Sequence, residues 1–599
     1  MTYIRLDKLR QQYKPQMPAT FKVGYELMET PFDYPEDDYE MVKARFPHTF
    51  GLPLLTFKML EESHLSDPTI YFDPSLRSGA KGTRQTLFQS ERPLHVGVLF
   101  SGGQAPGGHN VVAGIYDALK RHSAQSRLYG FLMGPGGLLR GEYKELTGEL
   151  IQQYRNSGGF DMIGSDRTKL EKQEDLQKVL QVAHDLALNA LVIIGGDDSN
   201  TNANLLAEYA LSIGDPLQVI GCPKTIDGDL KNEYVETSFG FDTCVKVYAE
   251  LVGNIQRDCF SAKKYYHFIK LMGRSASHLT LECALMCQPT MAIISEEVKA
   301  RKITLSLLIG QIADVIQERS AKGLTFGTIL IPEGLIEFLP GVKELIQELN
   351  RIPLETTAPI REEIAKASHQ QEHEAKTACD DDRHRVQEIA SRLSRENSEL
   401  FLMLPMDIAL SLATERDPHG NVQVSRIPTE QLLADMVKAE LEKRRSEGLY
   451  EGSFSVLTHF FGYEGRSSMP SNFDASYCYS LGLCATELIV QGKTAYLATL
   501  RNLIAHPTDW VPTGLPLTAM MDFEERGGEI KPVIGKAVVD LKGAPMRYFR
   551  HHRKEWASGV AFRYPGPLQF FGPSAICDNT TITLRLEQGL SAYENSEPF

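Results

Sequence analysis

Three different functional groups stand side by side in the segment PKTIDGD, at Pro223–Asp229. Lys224 is a point charge suited to a phosphate, Thr225 offers a hydroxyl, and Asp227 is a carboxylate able to accept a proton. Phosphoryl transfer asks a protein for positioned cations and an oriented nucleophile more than for covalent chemistry. A carboxylate touching the attacking hydroxyl is the usual base. The plainer alternative for this segment is a polar turn built on Asp-Gly.

A second cluster, GGDDS at Gly195–Ser199, places two carboxylates next to each other. Holding them close is costly unless a cation or a donor offsets their charge. Mg²⁺ takes one or two carboxylates together with substrate phosphates and water, so Asp197 is a candidate magnesium ligand. An Asx turn or a helix cap is the alternative. The glycine-rich stretch SGGQAPGGHN, from Ser101 to Asn110, matches neither common nucleotide fingerprint. Its glycines would let backbone N–H groups close on a phosphate, though a tight turn reads equally well. Arg274 in LMGRSASH and Arg466 in GYEGRSS add two guanidinium groups, each able to hold a phosphate by its bidentate fork.

These clusters need elements to position them, and the apolar pattern supplies a series. LHVGVLF is a short apolar run that ends at the glycine-rich stretch, and a helical stretch through Val112, Ile115, Tyr116 and Leu119 follows. Leu176, Val179, Leu180, Ala183 and Ala187 share one helix face, ahead of the run ALVII and the GGDDS cluster. LQVIG precedes PKTIDGD, FIKLM precedes GRSAS, MAIIS follows, and TILIP ends in EGL. Short strands alternating with amphipathic helices predict an α/β fold: two Rossmann-like lobes with mainly parallel sheets covered by helices. Each polar cluster then lies at a strand's carboxyl end, where open α/β sheets bind ligands.

The organisation read along the chain is an N-terminal extension over 1–90, irregular and without a sustained period. An α/β block over 91–340 carries the loops above, and a charged, helix-rich insertion spans 341–450. Residues 451–599 return to α/β character and complete the second lobe. In the insertion, His369, His373, Cys379 and His384 fit a solvated helical surface better than a metal site, because their spacing is irregular among many charges.

The formal net charge of −14 gives no electrostatic support for nucleic-acid or anionic-membrane partners. Any anionic ligand must be met by a few local cations. The nine cysteines form no CxxC pair, which points to reduced core residues in a reducing compartment. No apolar run approaches a membrane span and the N-terminus lacks a signal-peptide stretch, so a cytoplasmic location is expected.

Taken in order, SGGQAPG, IGSDR, GGDDS, PKTIDGD, MGR, PEG and GYEGR resemble the phosphofructokinase family from Leu94 to Gly492. The run PLTAMMDFEERGGEIKPVIGKAVVDLKG and the long N-terminal extension resemble its long, pyrophosphate-dependent branch. The resemblance implies that Gly102 and Gly103 bind the donor phosphate, that Arg167 is a transition-state arginine and that Asp197 binds Mg²⁺. It makes Asp227 the base, with Thr225 and Ile226 lining the sugar-phosphate site. Met272, Gly273 and Arg274 match the fructose 6-phosphate motif, as does Glu333; Tyr463, Glu464, Gly465 and Arg466 match a second one. Lys264 and Tyr265 fall where family members reach into a neighbouring subunit's site, which implies a homodimer or higher homo-oligomer.

Two departures from the ATP-using pattern bear on the donor. The ATP users have glycine where this chain has Asp198 and Lys224, the pair found in pyrophosphate users. A carboxylate at 198 would repel a nucleotide's α-phosphate by about 1 kcal/mol in water and about 4 kcal/mol at an effective dielectric near 20. Pyrophosphate has no third phosphate to repel, and Lys224 would neutralise the leaving phosphate. The expected reaction joins pyrophosphate and fructose 6-phosphate to give fructose 1,6-bisphosphate and phosphate. An ATP-dependent enzyme tolerating Asp198, and a non-catalytic regulatory subunit, are the alternatives; the intact TIDGD argues against the latter.

Overall fold

The computed structural model describes residues 10–34, 39–60, 83–85, 92–352, 383–414, 427–526, 529–568, 578 and 580–592. His369, His373 and Cys379 lie outside the described residues. The chain divides into two compact units. The first holds Met1–Val247, Tyr463–Ala537 and Pro567–Glu594; the second holds Tyr248–Gly462, Val538–Gly566 and Asn595–Phe599.

In the first unit, a parallel core of strands runs in the order Tyr496–Arg501, Gln218–Thr225, Ala190–Gly195, His95–Ser101, Arg127–Phe131. Ala190–Gly195 is buried at every position, which is why its sequence is a continuous apolar run rather than an alternating one. The helix Gln173–Asp185 buries Leu176, Val179, Leu180 and Ala183 and carries Glu174 and Asp175 in its first turn, where the helix dipole favours acids. It ends before Ala187, which takes a left-handed φ of 48°.

The N-terminal extension is less irregular than its sequence suggests. Tyr25–Thr30, Leu54–Met59 and Thr83–Gln85 are antiparallel strands that continue the same sheet beyond Val511–Pro516. Tyr25 and Leu27 face inward from one and Leu55 and Phe57 from the next, so only two or three apolar residues per strand mark them.

The second unit is built on four parallel strands in the order Met291–Ala292, Gly327–Pro332, Tyr266–Leu271, Val456–Phe461. The division therefore differs from the sequence-based one. The block 91–340 is cut after Val247, and residues 451–599 contribute to both units. The helices Val342–Leu349, Arg395–Met403, Met406–Thr414 and Thr429–Ser446 share one core with this sheet. Leu345, Phe401, Ile408, Leu433 and Val437 bury against the side that includes Tyr266, Phe268, Ile329 and Ile331. Burying that apolar stripe makes the insertion part of the unit rather than an appendage.

Candidate active site

In the first unit the loops expected to act together do meet. The strand His95–Ser101 passes into Gly102 and Gly103, and Gly102 has φ of 85°, a conformation open to glycine at no steric cost. Its N–H donates to the carbonyl of Asp166 at 2.8 Å, and the Ser165 hydroxyl donates to the Gly102 carbonyl at 2.7 Å. The Asp166 carboxylate accepts from the N–H groups of Gly136 and Thr168 and from the Thr168 hydroxyl. That bracing fixes the backbone from which Arg167 projects. An atom at the Cβ position of Gly103 would lie 1.9 Å from Arg466 Nη1 and 3.7 Å from Arg167 Nη2. Two guanidinium groups thus crowd onto the glycine loop.

Lys224 joins them from the end of the strand Gln218–Thr225. It is 6 % exposed and its Nζ donates to the Gly103 carbonyl at 2.8 Å. Burial lowers its pKa to about 8, with Arg466 and Arg167 acting in the same direction and Asp227 and Asp197 opposing them. One buried ammonium and two arginines thus form a cationic corner at Gly103, a chemistry suited to an anion.

Next along the chain, the Asp227 N–H donates to Thr225 Oγ1 at 3.1 Å, and that hydroxyl donates to Asp229 Oδ1 at 3.0 Å. The Thr225 hydroxyl thus bridges the Asp227 N–H and the Asp229 carboxylate and shapes the loop. The Asp229 carboxyl is pushed up to about 6 by burial and by the neighbouring charges of Asp227 and Asp197. Ile226 is buried beside them. Beneath this strand end, Asp474 accepts from Gly240 N–H at 3.1 Å and from Thr243 N–H at 2.9 Å. Gly240 pairs with Thr225 in the sheet, so this buried network holds the Thr225–Asp229 loop from behind.

Asp197 and Asp198 open the helix Asp197–Ser212, with Asp198 exposed and Asp197 partly buried. The helix cap is Gly196 and no side chain caps it, so neither aspartate is a cap: both stand in the first helical turn, where the helix dipole favours acids. Asp197 Oδ2 also faces Lys536 Nζ at 3.5 Å. Lys536 follows the strand Glu529–Ile534 closely, and its spacing from Asp197 in sequence gives no sign of that contact. Among the described residues no group of three or more His, Cys, Asp or Glu forms a metal cluster. That donor set suits a hard cation sharing one or two carboxylates with a ligand's oxygens, and not one caged by protein alone.

Tyr463, Glu464, Gly465 and Arg466 lie on a short helix, Tyr463–Ser467, rather than on an open loop. Tyr463 is 70 % exposed, whereas Arg466 is turned toward Gly103. Of these four, Arg466 is thus the residue placed with the glycine loop and Lys224.

The second unit carries its own cluster. The Gly273 N–H donates to Glu333 Oε2 at 3.0 Å, and the Gly334 N–H to the Gly273 carbonyl at 3.3 Å, so MGR and PEG are one structure. A Cβ at Gly334 would lie 1.9 Å from the Arg274 carbonyl oxygen, which explains the glycine there. Met272 is buried, and the Arg274 side chain is 53 % exposed, its guanidinium 3.8 Å from Glu337. Lys264 is exposed and Tyr265 half-buried, just ahead of the strand Tyr266–Leu271.

The phosphofructokinase family pattern matches residues 95–489. Curated relatives match along nearly the whole chain. A pyrophosphate–fructose 6-phosphate 1-phosphotransferase of Porphyromonas gingivalis is 52% identical over 583 residues, covering 97% of this chain and 98% of the relative. One of the same name from Treponema pallidum (strain Nichols) is 48% identical, covering 93% and 92%. Another, from Entamoeba histolytica, is 44% identical, covering 98% and 100%. With its motif loops assembled in this way and those relatives alike from end to end, the chain belongs to the phosphofructokinase family.

Proposed function

We propose that this chain reversibly transfers a phosphoryl group from pyrophosphate to the C1 hydroxyl of fructose 6-phosphate, with Mg²⁺ as cofactor. The observation that carries the reading is the meeting of Lys224, Arg167 and Arg466 on the Gly102–Gly103 backbone, beside Asp227. The names of the near-full-length relatives support it.

In this mechanism Gly103 and Lys224 bind the donor on a loop that Gly102 shapes through its bonds to Asp166 and Ser165, and Arg167 and Arg466 offset the charge that spreads over the transferring group. Asp227 takes the proton from the C1 hydroxyl, raising its nucleophilicity as bond formation begins. Lys224 then balances the departing phosphate. Asp197 would hold Mg²⁺, which when bound adds positive charge at the donor's oxygens. Met272, Gly273, Arg274 and Glu333 bind the sugar phosphate, and Tyr463 and Glu464 are proposed to assist. Asp198 excludes a nucleotide by repulsion of its α-phosphate, a penalty that pyrophosphate escapes.

Lys264 and Tyr265 are proposed to reach a neighbouring subunit's site within a homo-oligomer; their exposure ahead of a buried strand supports that role. The seven described cysteines are all buried free thiols, which supports a reducing compartment such as the cytoplasm. No described helix is long and apolar enough to cross a membrane.

Purified protein offered pyrophosphate and ATP separately, with fructose 6-phosphate and Mg²⁺, tests the reading. Turnover with pyrophosphate and almost none with ATP is expected. Preference for ATP would overturn it.

A further inference from the structure

The segment after the hairpin Met521–Arg526 and Glu529–Ile534 brings a cation, Lys536, to Asp197. Val533 and Ile534 are buried, and the second strand packs on the helix that begins with Asp197. The Gly535 N–H donates to the Met520 carbonyl at 3.2 Å, and the Ala537 N–H to the Asp229 carbonyl at 2.7 Å. Lys536 is therefore pinned on both sides by backbone hydrogen bonds, one of them to the loop that carries Asp227. On the other flank, Lys531 Nζ lies 3.7 Å from Glu171, a few residues beyond Arg167. The hairpin thus spans from the arginine loop to the start of the Asp197 helix.

Charge explains why a lysine is needed there. Asp197, Asp198, Asp227 and Asp229 gather at these loops, against Lys224, Arg167 and Arg466. Before any ligand arrives the carboxylates outnumber those three cations, and the donor is itself a polyanion. Lys536 closes the difference. The Lys536 side chain is 39% exposed and that of Asp197 29%, with 3.5 Å between Nζ and Oδ2, so the pair sits at the rim rather than sealed inside.

We propose that Lys536 is a donor-binding residue: its ammonium, parked on Asp197, contacts the phosphate of the two-phosphate donor when that donor is bound. This rests on the reading of pyrophosphate as donor and adds to it a specificity-determining cation supplied by the hairpin.

The test uses the full chain, with Lys536→Met and Lys536→Arg. Kinetics would be measured with pyrophosphate and fructose 6-phosphate varied in turn, and calorimetry would follow binding of methylenediphosphonate, a non-transferring mimic of the donor. Loss of one charge-assisted contact predicts a KM for pyrophosphate raised about 10- to 100-fold in Lys536→Met, with methylenediphosphonate affinity falling by a similar factor. The KM for fructose 6-phosphate should stay within about 2-fold, and Lys536→Arg should stay near wild type. Unchanged donor KM and diphosphonate affinity in Lys536→Met would overturn the assignment and leave a purely structural ion pair. If Lys536→Met fails to fold, Lys536→Gln carries the same comparison. Should the wild-type chain use no pyrophosphate at all, the functional reading fails, while diphosphonate binding still decides for or against Lys536.

Discussion

Arg466 Nη1 occupies the space that a side chain at Gly103 would need, 1.9 Å from the ideal Cβ position. A guanidinium on a long stem can move aside, so Gly103→Ala should fold with little loss of stability. The methyl group would push Arg466 off the loop and raise the KM for pyrophosphate by about 10-fold or more. Gly482→Ala provides the contrast. Its Cβ would lie 2.1 Å from the Val111 carbonyl oxygen, where the helices Gly108–His122 and Asn472–Val490 touch, and backbone cannot step aside. That variant should lose about 1–3 kcal/mol in denaturant unfolding. The reverse ranking of the two variants in stability would contradict this account.

Asp227 is the proposed base. Asp227→Ala should lower turnover by about 10²–10⁴ while thermal unfolding and fructose 6-phosphate binding stay close to wild type. Near-normal turnover would reduce Asp227 to a turn residue, a role the Thr225–Asp229 hydrogen bonds already fill.

Asp198 and Lys224 should set the donor by different routes. Asp198 is exposed at a helix start, so Asp198→Gly removes charge without opening a cavity and should raise kcat/KM for ATP about 5-fold or more. Lys224 is buried on the Gly103 carbonyl, so Lys224→Gly should weaken pyrophosphate use and leave that carbonyl unmatched. With both proposed to face one donor, the double variant should not equal the product of the singles. Steady-state kinetics with each donor on all four proteins measures this; no donor shift in Asp198→Gly rules out repulsion as the cause.

His109, in the helix that follows the glycine loop, should make the protein acid-sensitive. It is wholly buried: Nε2 accepts the Met162 N–H at 3.3 Å and Nδ1 lies 2.8 Å from Ser157 Oγ, the arrangement of a neutral ring. Burial lowers its pKa to about 4, only partly offset by Asp161 at 3.8 Å and by the hydrogen bond at Ser157. The unfolded chain, with a value near 6.5, binds the proton more readily, so stability falls as pH drops from about 6.5 toward 4. About 2 kcal/mol should be gone by pH 5 from this group. His109→Asn cannot titrate, so its stability deficit relative to wild type should narrow by that amount between pH 7 and pH 5. A constant gap would mean that His109 does not change protonation on unfolding.

The amino-acid sequence on its own determined the alternation of short apolar strands and helices, and with it the placing of SGGQAPG, GGDDS and PKTIDGD at strand ends. Those signals are local: a buried parallel strand must be apolar throughout, and a glycine loop must follow it at once. The family resemblance also grouped Arg274 with Glu333, and in the structure Gly273, next to Arg274, donates its N–H to Glu333. Local patterns were silent where position depends on the path of the whole chain. Tyr25–Thr30 carries too few inward apolar residues to declare itself a strand until Leu54–Met59 lies beside it. Arg466 reads as part of GYEGR and Lys536 as part of a charged hairpin tail. Only tertiary packing brings the one to Gly103 and the other to Asp197, because Coulomb interactions act through space while spacing along the chain records neighbours in sequence.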